Sequence, residues 1–363
     1  MSSEIERVVG DLVTRMGEGS VEGFRTALAA VGRAARAGGP ETLTASVEAV
    51  APLLPHLEGV FAKTAVLAGA CVEWGGSPMA LAPVLPRRAA EALRLWAQVP
   101  TVWQTAMSGR PLPEPEHIAP GELVRIFADY GGRHGIPGTR MRRTALSWFD
   151  LDDWLKAMIT VLAHGDFRAA VPPEDLQQVR IAAAEVADRS QRARWVHDLA
   201  SVLDDEPLIV LDSATRRGFA LTMSGVGDNF QLHTLLADRL IGDPSHGLLP
   251  GERPDPAWVH AATCGAPAVG PVNAVVRRFR LFDAQGGYIS PEGIPADIPA
   301  IEGAHVIVLH PPRGRFSWAN GRVYEHMEPT LALDRLLGDQ EAARWFARIQ
   351  PAREHDLMAA KPE

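Results

Sequence analysis

The sequence predicts an α+β protein, all-helical over residues 1–205 and, over 206–363, a mainly antiparallel sheet with helices packed on one side. Three observations carry this expectation. Apolar residues recur at intervals of three and four through the first half, the stripe of amphipathic helices. After Pro207 they give way to short apolar runs bounded by turn residues. The links between the first of these runs are short enough for hairpins, which favours antiparallel pairing.

Ile5, Val8, Val9, Leu12, Val13 and Met16 form the first stripe, and Gly17 and Gly19 stop it. Ser20 is a good N-cap for a second helix that turns Phe24, Leu28 and Val31 inward and ends at Gly38 and Gly39. Pro40 then suits the first turn of a third. Leu57, Val60, Phe61, Thr64, Leu67, Ala68 and Cys71 make another apolar face, closed by Gly75 and Gly76. Ala51-Pro52-Leu53-Leu54-Pro55 is echoed 31 residues later by Ala82-Pro83-Val84-Leu85-Pro86, which suggests a repeat-like helical layer. Beyond the proline-rich break from Pro111 to Pro120, helices are expected around Leu123 to Tyr130, Asp150 to His164, Glu174 to Ala187 and Arg192 to Leu203.

In the second half, Leu208-Ile209-Val210-Leu211 and Phe219 to Met223 read as a hairpin around a turn at Thr215 to Gly218. Strands are also expected at Val272 to Phe282 and His305 to Leu309. A last helix from Gln340 to Ile349 should bury Ala343, Phe346 and Ile349.

Composition excludes several classes. With 363 residues, 46% hydrophobic and 22% charged, the chain can build about two globular domains. It has no run of about 18 apolar residues to span a membrane, and Glu4 and Glu6 stand where a secretory signal would carry positive charge, so a cytoplasmic location is expected. Cys71 and Cys264 lack any metal or redox spacing and are expected to be small buried hydrophobes. Only Lys63, Lys156 and Lys361 of the 36 basic residues are lysine, a bias that a GC-rich bacterial genome explains. A net charge of −8 argues against a broad nucleic-acid interface. No cofactor fingerprint or metal-ligand spacing is present.

Phe149-Asp150-Leu151-Asp152-Asp153 resembles the nucleophile motif of haloacid-dehalogenase-type phosphatases and the D-x-D-D acid of class II terpene cyclases, each over about five residues. In the phosphatases a buried strand precedes the motif and a threonine follows it. Here Arg142-Arg143-Thr144 lies upstream and Trp154 takes the threonine's place. A helix start is the expected reading, with Asp150 as N-cap and Asp152 and Asp153 in the positive first turn.

The segment Ser224 to Gly242, SGVGDNFQLHTLLADRLIG, resembles part of an uncharacterised actinobacterial protein family, a resemblance that implies no activity. Gly225 and Gly227 could cradle a phosphate, but Phe230 replaces the third glycine of the dinucleotide fingerprint and Asp228 puts negative charge at the anion's place. Asp228 with Gln231 fits a capping box, with Leu232, Leu235, Leu236 and Leu240 buried behind it. His233 flanks that apolar face. A histidine there could act as a general base or a ligand, particularly if Asp212 or Asp228 reached its ring.

Gly131 to Arg143, GGRHGIPGTRMRR, gathers Arg133, Arg140, Arg142 and Arg143 without one acidic residue. Its glycines predict an exposed, mobile loop whose guanidinium groups could grip a phosphate, a carboxylate or an acidic peptide. Trp148 and Phe149 offer a stacking surface beside it. Two functions therefore stand open. One is a binding protein for an acidic or anionic partner or small ligand, held by the arginines with Asp212 and Asn229. The other is an enzyme without a linear motif, built at a domain interface around Asp212, Asp228, Asn229 and His233.

Overall fold

The computed structural model describes residues 2–264, 275–319, 321, 324 and 326–353. The chain divides into two compact units, Met1–Ala200 and Ser201–Glu363. Among the described residues no helix is long and apolar enough to cross a membrane.

The described residues of the first unit form ten α-helices and no strand. These are α1 (Ser2–Gly17), α2 (Val21–Ala37), α3 (Gly39–Val50), α4 (Lys63–Glu73), α5 (Leu85–Ala106), α6 (Pro120–His134), α7 (Gly138–Leu162), α8 (Gly165–Ala170), α9 (Pro173–Ala184) and α10 (Gln191–Ala200). Local chemistry sets several ends. The Ser20 hydroxyl accepts from the Gly23 N–H to cap α2, and Pro40 lies in the first turn of α3.

The longest of these helices, α7, is the hub. Thr144, Ala145, Leu151, Trp154, Met158 and Val161 are buried along it, and it packs against α4, α5, α6 and α10. A helix buried nearly all round carries little amphipathic signal, so its first three turns were not legible as helix. The expected start at Asp150 is corrected: that residue lies in the middle of α7, twelve residues past Gly138. The two proline-flanked echoes also differ in conformation. Ala51–His56 is a 3₁₀ helix, whereas residues 82–84 form a turn and Leu85 opens α5.

In the second unit, β1 (Glu206–Asp212) and β2 (Gly218–Ser224) form the expected hairpin, with Leu208 opposite Leu221. They are followed by α11 (Asn229–Leu240), α12 (Pro256–Cys264), β3 (Val275–Val276), β4 (Arg280–Asp283), β5 (Ala300–Ile301), β6 (Ala304–His310), β7 (Ser317–Trp318), β8 (Thr330–Leu336) and α13 (Asp339–Phe346). The main sheet runs β4-β6-β1-β2-β8, with β5 added to β6. It is mostly antiparallel, and β1 with β6 is the parallel pair, Val210 facing Ile307. The strand expected at Val272 to Phe282 lies partly outside the described residues, and its described part is broken between β3 and β4. Strand β8, with Leu331 and Leu333 packed toward the core, was not foreseen.

Helices cover both faces of this sheet. Leu208, Val210, Phe219 and Ile307 pack with Leu232, Leu235, Leu236 and Leu240 of α11, while Ile209, Leu211 and Val306 pack with Ala342 and Phe346 of α13. The expectation of helices on one side is thereby corrected, for the physical reason that Leu208–Leu211 is apolar at every position and so must be covered twice. In α13 it is Ala342, not Ala343, that faces inward. Cys71 is buried, and burial pushes its thiol up to about 11, whereas Cys264 is exposed at the end of α12.

Candidate functional site

The glycine-rich stretch that joins α6 to α7 is a tight helix hairpin. Gly135 ends α6 with φ of 66°, a left-handed conformation that glycine adopts without strain, and the Ile136 N–H donates back to the Gly131 carbonyl. A Cβ at Gly131 would stand 2.6 Å from Met141 Cγ, so the glycine lets the two helices close on each other. Arg140, Arg142 and Arg143 therefore ride on the first turns of α7, not on a mobile loop. Arg133 stays on α6, where its Nε donates to the Asp129 carbonyl at 3.3 Å.

The first turns of α7 line a cavity of about 700 Å³, together with Arg94, Leu95 and Gln98 of α5 and with His56 and Glu58. Four arginines, Arg94, Arg140, Arg142 and Arg143, share it with two carboxylates, Glu58 and Glu91. Arg143 is half-buried and donates to both oxygens of Glu91 at 2.8 and 3.0 Å and to the Pro55 carbonyl at 3.0 Å. Arg142 pairs with Glu58. Arg94 donates to Gln178 at 3.0 Å, and the exposed Arg140 guanidinium has no partner among the described residues. The cavity thus keeps a positive excess in a chain whose net charge is −8. Trp148 does not open onto it as a free stacking face. Its ring stacks on Trp96 at 5.5 Å and its Nε1 donates to the Pro113 carbonyl.

Beneath the cavity the charges continue into the core. Arg88 on α5, 4% exposed, approaches Glu91 at 3.5 Å, donates to the Leu57 carbonyl at 3.1 Å and lies 4.4 Å over the Trp154 ring. Asp150, 2% exposed, accepts from the Gly59 N–H at 2.6 Å. Burial pushes the Asp150 carboxyl up to about 7, against the opposing pull of Arg88. Among the described residues, its remaining oxygen and Arg88 Nη1 are buried without a hydrogen bond. Asp152 is exposed and paired with Arg192, and Asp153 is buried beside Lys63 at 3.4 Å. The three aspartates point to different neighbours on an uninterrupted helix, so neither the phosphatase nor the cyclase motif finds its geometry here.

Elsewhere, in the second unit, Asp228 caps α11 as expected, accepting from the Gln231 N–H at 2.7 Å. The Gln231 side chain completes the turn by accepting from Gly227 N–H, one residue before the cap. Those amides are thus engaged, and the Asn229 N–H is held by the Gly293 carbonyl, which leaves no open cradle for phosphate. Burial raises the Asp228 carboxyl above its usual range. Asp228→Ala is expected to lower stability by roughly 1 kcal/mol, measured by chemical denaturation, with fraying of α11 amides in hydrogen exchange.

His233 is buried, and its Nε2 accepts from the Arg278 and Phe279 N–H groups at 3.0 and 3.2 Å. Burial, reinforced by Arg277 and Arg278, drives its pKa down to about 3. Neither carboxylate named with it reaches the ring. Asp212 accepts from the backbone and hydroxyl of Thr215 in the β1–β2 turn, and Asp228 is spent on its cap. Asn229, 3% exposed, donates to the Ser290 carbonyl. These four residues all belong to the second unit, and these hydrogen bonds run to separate segments: Thr215, Gln231, Ser290 and the Arg278–Phe279 backbone.

A cavity of about 850 Å³ in the second unit is nearer charge balance, with Arg253 on Asp238 at 2.5 Å and Arg278 on Glu252 at 2.9 Å. Among the described residues no cluster of three His, Cys, Asp or Glu side chains is arranged to hold a metal ion. Sequence reasoning found three arginines of the first cavity but missed Glu58, Glu91 and Arg94. For Glu91 and Arg94, α5 carried a hint in the spacing of Arg88, Glu91 and Arg94 by about one helical turn, and nothing near Glu58 in sequence pointed to it. No known protein-family model matches the chain, and no curated protein or solved structure matches it significantly.

Proposed function

We propose that the chain is a binding protein that takes a small anionic ligand, bearing phosphate or carboxylate groups, in the arginine-lined cavity of its first unit. One observation carries this reading: four arginines converge on about 700 Å³ with two carboxylates to balance them, and Arg94 and Arg140 are committed to neither. Guanidinium forks match the geometry of phosphate and carboxylate oxygens, and in a half-enclosed site such charge-assisted hydrogen bonds are the strong ones.

Arg142 and Arg143 are poor choices for a test because they anchor Glu58 and Glu91. Arg94 and Arg140 are the probes. Calorimetric titration of the full chain with inorganic phosphate, pyrophosphate and citrate at two salt concentrations is expected to show binding that weakens with salt. The Arg94→Ala/Arg140→Ala variant should bind about tenfold more weakly or worse, with its melting curve nearly unchanged. Binding that ignores salt and survives the double substitution would remove the cavity from function.

A further inference from the structure

A second surface of the first unit lies outside the arginine cavity. Helices α2 and α4 leave between them a groove of about 560 Å³. Its floor is apolar and repeats one spacing on both helices, Leu28, Ala29 and Gly32 on α2 and Val66, Leu67 and Ala70 on α4. Small residues keep that floor low: a Cβ at Gly32 would come within 3.3 Å of Leu67 Cδ1. Trp74, 39% exposed, closes one end with Arg36 stacked 5.0 Å over its ring.

The rim is cationic. Arg25, Arg33, Arg36, Lys63 and Lys156 are all exposed around it, against one lining carboxylate, Asp153, which is buried between the two lysines at 3.4 and 4.0 Å. Arg25 also meets Glu22 at 4.0 Å, at the edge of ion-pair range. Lysine is rare in this chain, yet both described lysines stand here. A lysine ammonium is a point charge on a flexible stem and tolerates a carboxylate at varied positions, unlike the fixed fork of arginine.

We propose that this groove docks an acidic amphipathic helix of a partner protein, independently of the anion cavity. Two helix ridges side by side form the groove into which the ridge of a third packs, and the apolar floor would take anchors at i, i+3 or i+4, and i+7. From Arg25 to Arg36 the groove follows eleven residues of α2, about 16 Å at 1.5 Å per residue, or roughly three helical turns. Carboxylates flanking the partner's apolar stripe would meet the five rim cations. A purely acidic peptide would lack the stripe, and a neutral helix would lack the charges.

The test uses the full chain and a designed peptide of about four turns, with leucines on one face and glutamates on both flanks, beside a scrambled peptide of the same composition. Fluorescence anisotropy is expected to show the amphipathic peptide binding at least tenfold more tightly than the scrambled one. Binding should also protect Lys63 and Lys156 from reductive methylation. Two variants at exposed positions probe charge and shape separately: Arg25→Glu/Arg33→Glu and Ala29→Trp should each weaken the peptide tenfold or more, with melting curves close to that of the unaltered chain. If one variant fails to fold, the other and the lysine footprint still decide. Equal binding of the scrambled peptide, or unchanged affinity in folded variants, would overturn the proposal. So would association with phosphatidylglycerol–phosphatidylcholine vesicles in place of the peptide, since it would assign the surface to a membrane.

Discussion

Arg88→Ala is expected to destabilise the first unit by roughly 3–5 kcal/mol, the usual cost of removing one partner from a buried ionic group. Arg88 stands between Asp150 and Glu91 with its plane over Trp154, so truncation deletes hydrogen bonds to the Leu57 carbonyl, a cation–π contact and the main counter-charge of a buried carboxylate. The amides of α7 should lose hydrogen-exchange protection first. Replacing both charges with apolar groups, Arg88→Met with Asp150→Leu, should recover part of the loss because no charge is then left unpaired. If Arg88→Ala alone left α7 protection unchanged, the charge pair would carry no stability.

The second large effect is expected at His233. His233→Ala leaves the N–H groups of Arg278 and Phe279 buried without an acceptor and opens a cavity beside Phe279, at a combined cost on the order of 3–5 kcal/mol. His233→Gln, whose side-chain oxygen can accept one of these bonds, should lose less. The ring also imposes a pH dependence. Its folded pKa of about 3 lies below the usual 6.5, so between those values the unfolded chain binds the extra proton and stability falls as pH falls, by up to about 1.4 kcal/mol per pH unit. Asp150 works with the opposite sign. Its folded pKa is raised from 3.8 to about 7, so the native state holds the extra proton in that window and stability from this group falls as pH rises. Hydrogen exchange at pH 4.5 and 6.5, compared between wild type and Asp150→Asn or His233→Gln, should show the first unit losing a downward slope with pH and the second losing an upward one. Slopes of the same sign would contradict the burial of one of the two groups.

What the sequence revealed and what it hid divide by distance along the chain. The Ser20 and Asp228 caps depend on residues three positions away, and both were legible. The β1–β2 hairpin was legible for the same reason, its turn spanning only residues 213–217. Asp150 was misplaced because what justifies an acid inside a helix lies far off: Gly59 is 91 residues upstream and Arg88 sits on another helix. The arginines of α7 looked like a free loop for a related reason. Glu58 lies 84 residues from Arg142 and Glu91 lies 52 from Arg143, and four glycines nearby imitate flexibility where one caps a helix and another admits a close crossing. Strand β8 had a visible alternation, but its residues of one face are exposed at the sheet edge, which mutes the apolar signal.

The parallel pairing of β1 with β6 has a consequence in time. These two strands are neighbours at the middle of the sheet, yet residues 213–303 of the chain separate them. Closing so long a segment loses conformational entropy before any pairing repays it, and parallel strands cannot be zipped together from a short turn. The helices of the first unit instead meet many of their neighbours in sequence order, as α1 meets α2 and α6 meets α7. Folding rates fall as contacts become less local, so the helical unit should be structured while the second unit still holds only its β1–β2 hairpin. On a ribosome that order matches the order of synthesis. The edge of β1 that later receives β6 stays open until the chain has grown by about a hundred residues more.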